Sequence, residues 1–182
     1  MPNFEGAQAD EIARRMIDVA EGYLADADQL SSIGCYSENG VSMLGIIGFE
    51  IYLKAAVLLE TEFRPPSHDY WKIWNMLSED SRDKIYNEAK CRLAVEPALD
   101  DLKKLFDDLR NAFEKGRYSY EINDDRNADA AASAGRKWIA AGGNLADADL
   151  RFHPEARVGL VHALREFCND MRSPSHDATE NA

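Results

Sequence analysis

The sequence predicts an all-α protein, an up-and-down bundle of five or six helices. Two observations carry this. Apolar residues recur at three- and four-residue steps through most of the chain, and no run of alternating apolar and polar residues extends beyond a few positions. The length of 182 residues is that of one domain, enough to bury a core without disulfide or metal staples. No internal repeat is present.

Taken in order, Ile12, Met16, Val19, Tyr23, Ala27 and Leu30 share one side of a first helix from about 5 to 30. The stretch 31–40, with Gly34, Asn39 and Gly40, is turn-like. The next helix, 41–61, is apolar nearly all round and belongs at a bundle centre. Pro65 and Pro66 end it, and Ser67 and Asp69 offer capping oxygens to a short helix that faces inward through Tyr70, Ile73, Trp74 and Leu77. Ser78 then opens a helix with acidic residues at its positive end and Ile85, Ala89 and Leu93 inward.

Pro97 suits a first helical turn, and Leu99, Leu102, Phe106, Leu109 and Phe113 follow as a narrow seam. Residues 122–152 are polar and alanine-rich, with Gly142-Gly143-Asn144 interrupting any helix around Trp138. They are expected to loop out or to form a loosely attached helical insertion. Pro154 starts a last helix with Leu160, Val161, Leu164, Cys168 and Met171 inward. The bundle domain is thus expected to comprise 1–121 and 153–172, with 173–182 a disordered tail.

Composition limits the partners. A net charge of -12 and a pI near 4.7 oppose bulk attraction to polyanions, so any nucleic-acid site must be a local basic patch. Cys35, Cys91 and Cys168 fit neither a disulfide framework nor a zinc motif, and match a reducing cytoplasm. The first residues lack the basic and apolar blocks of a secretory signal. The segment 41–59 is long enough to cross a bilayer, but Glu50 and Lys54 would each cost roughly 2.5 to 3.5 kcal/mol near its centre, so no membrane is expected.

Candidate chemistry gathers at one helix end. Arg110 flanks the leucine seam, Glu114 lies one turn on, and Arg117 returns to the seam if the helix persists that far. Arginine offers a planar fork of donors for phosphate or carboxylate, although arginines at helix ends also satisfy carbonyls. Tyr118 and Tyr120 can stack on a base or simply bury their rings. Glu50 and Lys54, one turn apart, either satisfy each other or anchor Arg110 or Arg117 beneath a site. His68, His153, His162 and His176 are scattered, with no metal or cofactor signature, and His68 stands at a helix start where capping is the simpler role.

Glu50-Ile51-Tyr52-Leu53-Lys54 in a central helix, Ser67-His68-Asp69 opening the next, and Arg110-Asn111 near the end of a seam helix together resemble the HEPN superfamily. The resemblance spans about 41 to 121, and the segment from Phe113 to Glu121 looks like a sub-group ending in an aromatic-rich Arg-Tyr stretch. It implies a small helical bundle, dimeric, that binds nucleotides or cleaves RNA without metal, in toxin–antitoxin or phage-defence settings. Active members carry an arginine, a polar residue and, four to six residues on, a histidine. Arg110-Asn111 matches the first half, but Lys115, Gly116 and Arg117 stand where the histidine should fall. The resemblance therefore implies binding of a nucleotide, an RNA end or a partner protein through Arg110, Glu114, Arg117, Tyr118 and Tyr120, supported by Glu50, Lys54 and His68. Two alternatives stand beside it: a metal-independent endoribonuclease using Arg110, Asn111 or His162, and a structural dimerisation bundle. Arg157 and His162 match the motif's spacing, but about one such match is expected by chance, and the two lie about 140° apart on a helix.

Overall fold

In the computed structural model, residues 4–33, 38–93, 97–116, 128–144 and 150–172 are described. Among them are seven α-helices and one short 3₁₀ turn, and no strand. The helices are α1 (Gly6–Ile33), α2 (Glu38–Thr61), α3 (Tyr70–Trp74), α4 (Glu79–Arg92), α5 (Leu102–Gly116), α6 (Ala128–Ala140) and α7 (Pro154–Arg172), with the 3₁₀ turn Pro97–Asp101 leading into α5. The protein is an all-α helical bundle. Six helices fall where apolar spacing puts them, and α6 is the seventh.

Local chemistry sets the boundaries. Asp69 caps α3 by accepting from the Lys72 amide at 3.0 Å, and its own amide is held by Ser67 Oγ. Ser78 caps α4 by accepting from the Ser81 amide. Gly142 and Gly143, at φ +101° and +59°, close α6: their amides donate back to the carbonyls of Ile139 and Trp138, the left-handed stop that glycine permits.

α2 is the axle. Ile46, Phe49, Tyr52, Leu53 and the run from Ala55 to Leu58 are buried, as expected of a helix apolar all round. The Phe4 amide donates to the Glu62 carbonyl, so α1 lies antiparallel to α2. Arg157 meets Ser42 while Arg165 reaches Tyr52, so α7 runs parallel to α2. Phe106 forms the hub on the remaining side, with ring centroids 5.8 Å from Phe49 and 5.6 Å from Trp74. These rings join α2, α3 and α5 in one continuous core.

Two sequence expectations are corrected. On α1 the buried residues are Ala9, Ala13, Ile17, Ala20 and Ala27, whereas Val19 and Leu30 are 51% and 39% exposed. The reason is steric. Small side chains let α1 close on α2, where Gly48 leaves so little room that a Cβ there would lie 2.8 Å from Leu24. On α7, Met171 is exposed and Phe167 is buried in its place.

Candidate functional site

The expected supporting residues converge where α2, α3 and α5 meet. Glu50, buried within the apolar α2, accepts from Lys54 Nζ at 2.9 Å and from the buried Tyr70 hydroxyl at 3.0 Å, and its Oε1 lies 2.8 Å from His68 Nδ1. Both readings of the Glu50–Lys54 pair are thereby refined. The two charges do satisfy each other, and among the described residues the carboxylate anchors a histidine and a tyrosine and not Arg110; Arg117 lies outside them.

Burial pushes the Glu50 carboxyl up, but the donors from Lys54 and His68 outweigh it and hold the group below the usual carboxylate range. A carboxylate facing Nδ1 requires a proton on that nitrogen. In the neutral ring Nε2 is then the acceptor, and the His68 side chain is 56% exposed. His68 also stacks on Phe113, with centroids 5.8 Å apart. His68 thus links two helices, while the capping falls to its neighbours Ser67 and Asp69.

Arg110 sits one turn before Phe113 on α5. Its Nη1 is 3.5 Å from Asp69 Oδ2 and its Nη2 is 4.0 Å from Asp107, both long for charge-assisted bonds. The Arg110 Nε is buried with no hydrogen-bond partner among the described residues, and the side chain as a whole is one-third exposed. Asn111 is half-buried and Glu114 is exposed. The described part of α5 ends at the buried Gly116 against Met43. Arg117, Tyr118 and Tyr120 lie outside the described residues.

The structure keeps Arg157 and His162 apart. Arg157 is 7% exposed and donates to the Ser42 carbonyl at 3.1 Å, with burial holding its basicity down. His162 Nδ1 instead lies 3.1 Å from Arg165 Nη1. Arg165 pairs with Glu21 through two contacts of 2.5 and 2.8 Å, and Glu21 also accepts from the Tyr52 hydroxyl. This second cluster ties α1, α2 and α7 together.

Sequence reasoning missed Asp108, which receives His153 Nε2 at 3.0 Å and Arg151 at 3.5 Å and so fastens the start of α7 to α5. No spacing rule connects positions 45 residues apart. A separate depression of about 350 Å³ is lined by Trp74, Glu79, Arg82, Asp83, Tyr86 and Asp100. Three carboxylates to one guanidinium make it unsuited to phosphate. Among the described residues no group of three or more His, Cys, Asp or Glu side chains could hold a metal ion.

No protein-family model, curated protein or solved structure matches this chain. What remains is the side-chain chemistry of the Glu50, Lys54, His68 and Tyr70 cluster, with Arg110 beside it on Asp69.

Proposed function

We propose that the chain is a HEPN-like domain that binds the phosphate of a nucleotide or of an RNA end where α2, α3 and α5 meet, through Arg110 with His68 and Lys54 nearby on the adjoining elements. The observation that carries this reading is the loose pairing of Arg110: its side chain is one-third exposed and, among the described residues, its Nη atoms lie no closer than 3.5 Å to a carboxylate, so they retain donors for an incoming anion. Phe113 and His68 offer an aromatic surface beside it on which a base can stack. The same resemblance implies a toxin–antitoxin or phage-defence setting, and the cysteine usage fits a reducing cytoplasm.

Titration calorimetry with adenosine monophosphate and with a 3′-phosphorylated oligoribonucleotide tests this reading. Arg110→Ala lowers affinity by about tenfold or more, the size of a lost charge-assisted bond, with the melting temperature unchanged. Equal binding by wild type and variant removes the reading.

A second reading, metal-independent RNA cleavage, is favoured by the contact between His68 and Glu50. The carboxylate fixes the ring so that Nε2 can take the proton of a ribose 2′-hydroxyl. The 2′-oxygen then attacks phosphorus, the bond to the 5′-oxygen breaks, and that oxygen leaves with the proton returned from the imidazolium. A 2′,3′-cyclic phosphate and a 5′-hydroxyl result, while Arg110 holds the charge on the phosphorus centre. Cleavage in chelator should disappear in His68→Gln and persist in His162→Ala. An intact set of RNAs after prolonged incubation removes this second reading and leaves the first standing.

A further inference from the structure

α1 carries two apolar faces; the bundle uses one along its length and the other only at Ile12 and Met16, which pack against the core. Ala9, Ala13, Ile17, Ala20 and Ala27 turn toward α2. About 90° round the helix, Ile12, Met16, Val19, Tyr23, Leu30 and Ile33 follow at steps of four, three, four, seven and three. That is the heptad spacing of a helix–helix seam, with Asp26 at the remaining position. Ile12, Met16 and Tyr23 are half-buried, whereas Val19, Leu30 and Ile33 are 51%, 39% and 67% exposed.

Gly22 lies beside this seam, in the middle of a long helix, and a Cβ there would touch nothing within 4 Å. The fold of one chain gives no reason for glycine at a position where it weakens the helix. A close approach by a second helix does give one.

We propose that the outer face of α1 is the contact surface of a homodimer, formed with α1 of a second copy lying antiparallel. The charges on this face select that occupant and that orientation. With a two-fold axis midway between residues 20 and 21, Val19 comes opposite Gly22 of the other copy, and Ile12 comes within one residue of level with its Leu30. Arg15 then faces Asp26 of the other copy, and by symmetry Asp26 faces Arg15. The face is thus self-complementary in the way a two-fold contact requires. Among the described residues Arg15 meets only Glu11, its carboxylate at 3.3 Å and its backbone carbonyl at 3.4 Å, and the Arg15 side chain is 65% exposed; Asp26 has no ion pair among them. Both charges are therefore available to such a partner.

Sedimentation equilibrium on the full chain, with far-ultraviolet circular dichroism to verify helicity, tests the proposal. Wild type should be a dimer and Val19→Glu a monomer. Arg15→Glu and Asp26→Arg should each weaken the dimer by about tenfold, and the double variant Arg15→Glu/Asp26→Arg should recover most of that loss. All three charge variants lie on the surface, so the comparison survives even if Val19→Glu disturbs the fold. A wild-type monomer at every concentration reached, which would leave the face to another protein or to none, overturns the proposal. So does a double variant no tighter than the single ones.

Discussion

The guanidinium of Arg157 lies directly over Gly45, so close that a Cβ at position 45 would stand 2.5 Å from its Cζ. Glycine at 45 therefore makes the space into which an α7 arginine turns inward to reach the Ser42 carbonyl. Gly45→Ala must displace the guanidinium from a site that is 93% enclosed, an overpacking expected to cost about 1–3 kcal/mol in urea unfolding. Unchanged stability would show that Arg157 leaves its site freely.

Arg157 itself gives a contrasting prediction. Its charge is buried beside a carbonyl, with no carboxylate bonded to it among the described residues, and burial already lowers its basicity. Replacing such a charge by an apolar side chain of similar length is commonly neutral or stabilising. Arg157→Met is accordingly expected to melt at or above the wild-type temperature, while Arg157→Ala, which leaves a cavity, is expected to lose about 2–4 kcal/mol. A large loss in the methionine variant would mean that the guanidinium's charge is itself stabilising.

These positions show how far the sequence could be read. Helix existence was legible because spacing and caps are local: Asp69 and Ser78 cap where their residue types and the following apolar pattern put them. The choice of face on α1 was not. Two apolar stripes lie side by side there, and ranking by side-chain size favours the one containing Val19 and Leu30, whereas close packing against Gly48 of α2 favours the alanines. The site was legible as a set, in that Glu50, Lys54 and His68 do meet, but its wiring was not. Whether Glu50 would take Arg110 or the pair His68 and Tyr70 depends on where the 62–69 connection lays its side chains, and apolar periodicity carries no such information.

Acid sensitivity follows from two carboxyls. At Glu50 and at Glu21 burial raises the proton affinity, but the donors (Lys54 and His68 for one, Arg165 and Tyr52 for the other) prevail, and both groups sit below the ordinary value of 4.5. The unfolded chain then binds these protons more readily than the folded one. The stability they contribute is complete above pH 4.5 and drains away as pH falls through the lower folded values. Urea midpoints measured downward from pH 6 should fall below 4.5, and Glu50→Gln should flatten the slope. An identical slope in the variant would assign the effect elsewhere.

Two cysteines separate by environment. Cys168 is fully buried on α7, and burial pushes its thiol up to about 12, whereas Cys91 is exposed near the end of α4. Since the thiolate is the nucleophile, iodoacetamide at pH 8 should label Cys91 in the folded protein and spare Cys168 until denaturant is added. Peptide mass spectrometry reads this directly, and native labelling of Cys168 would show that α7 opens readily.

The Glu50 cluster yields the sharpest test of what holds the site together. Glu50→Ala leaves the Lys54 ammonium, 14% exposed, and the buried Tyr70 hydroxyl without the carboxylate that receives them. Breaking a buried pair in this way is expected to cost about 3–5 kcal/mol. Glu50→Gln keeps an oxygen for one donor and should cost less. Tyr70→Phe removes the hydroxyl's bond to Glu50 and leaves the carboxylate still served by Lys54 and His68, a loss of about 1–2 kcal/mol. His68→Gln removes a half-exposed donor and should change stability least of the four. If the cluster is a ligand site as well as a brace, the order of effects on affinity departs from this order on stability: His68→Gln, the mildest for folding, should then weaken nucleotide binding more than Tyr70→Phe does. Parallel unfolding and calorimetric titrations of the four variants compare the two orders, and identical rankings would reduce the cluster to a packing brace.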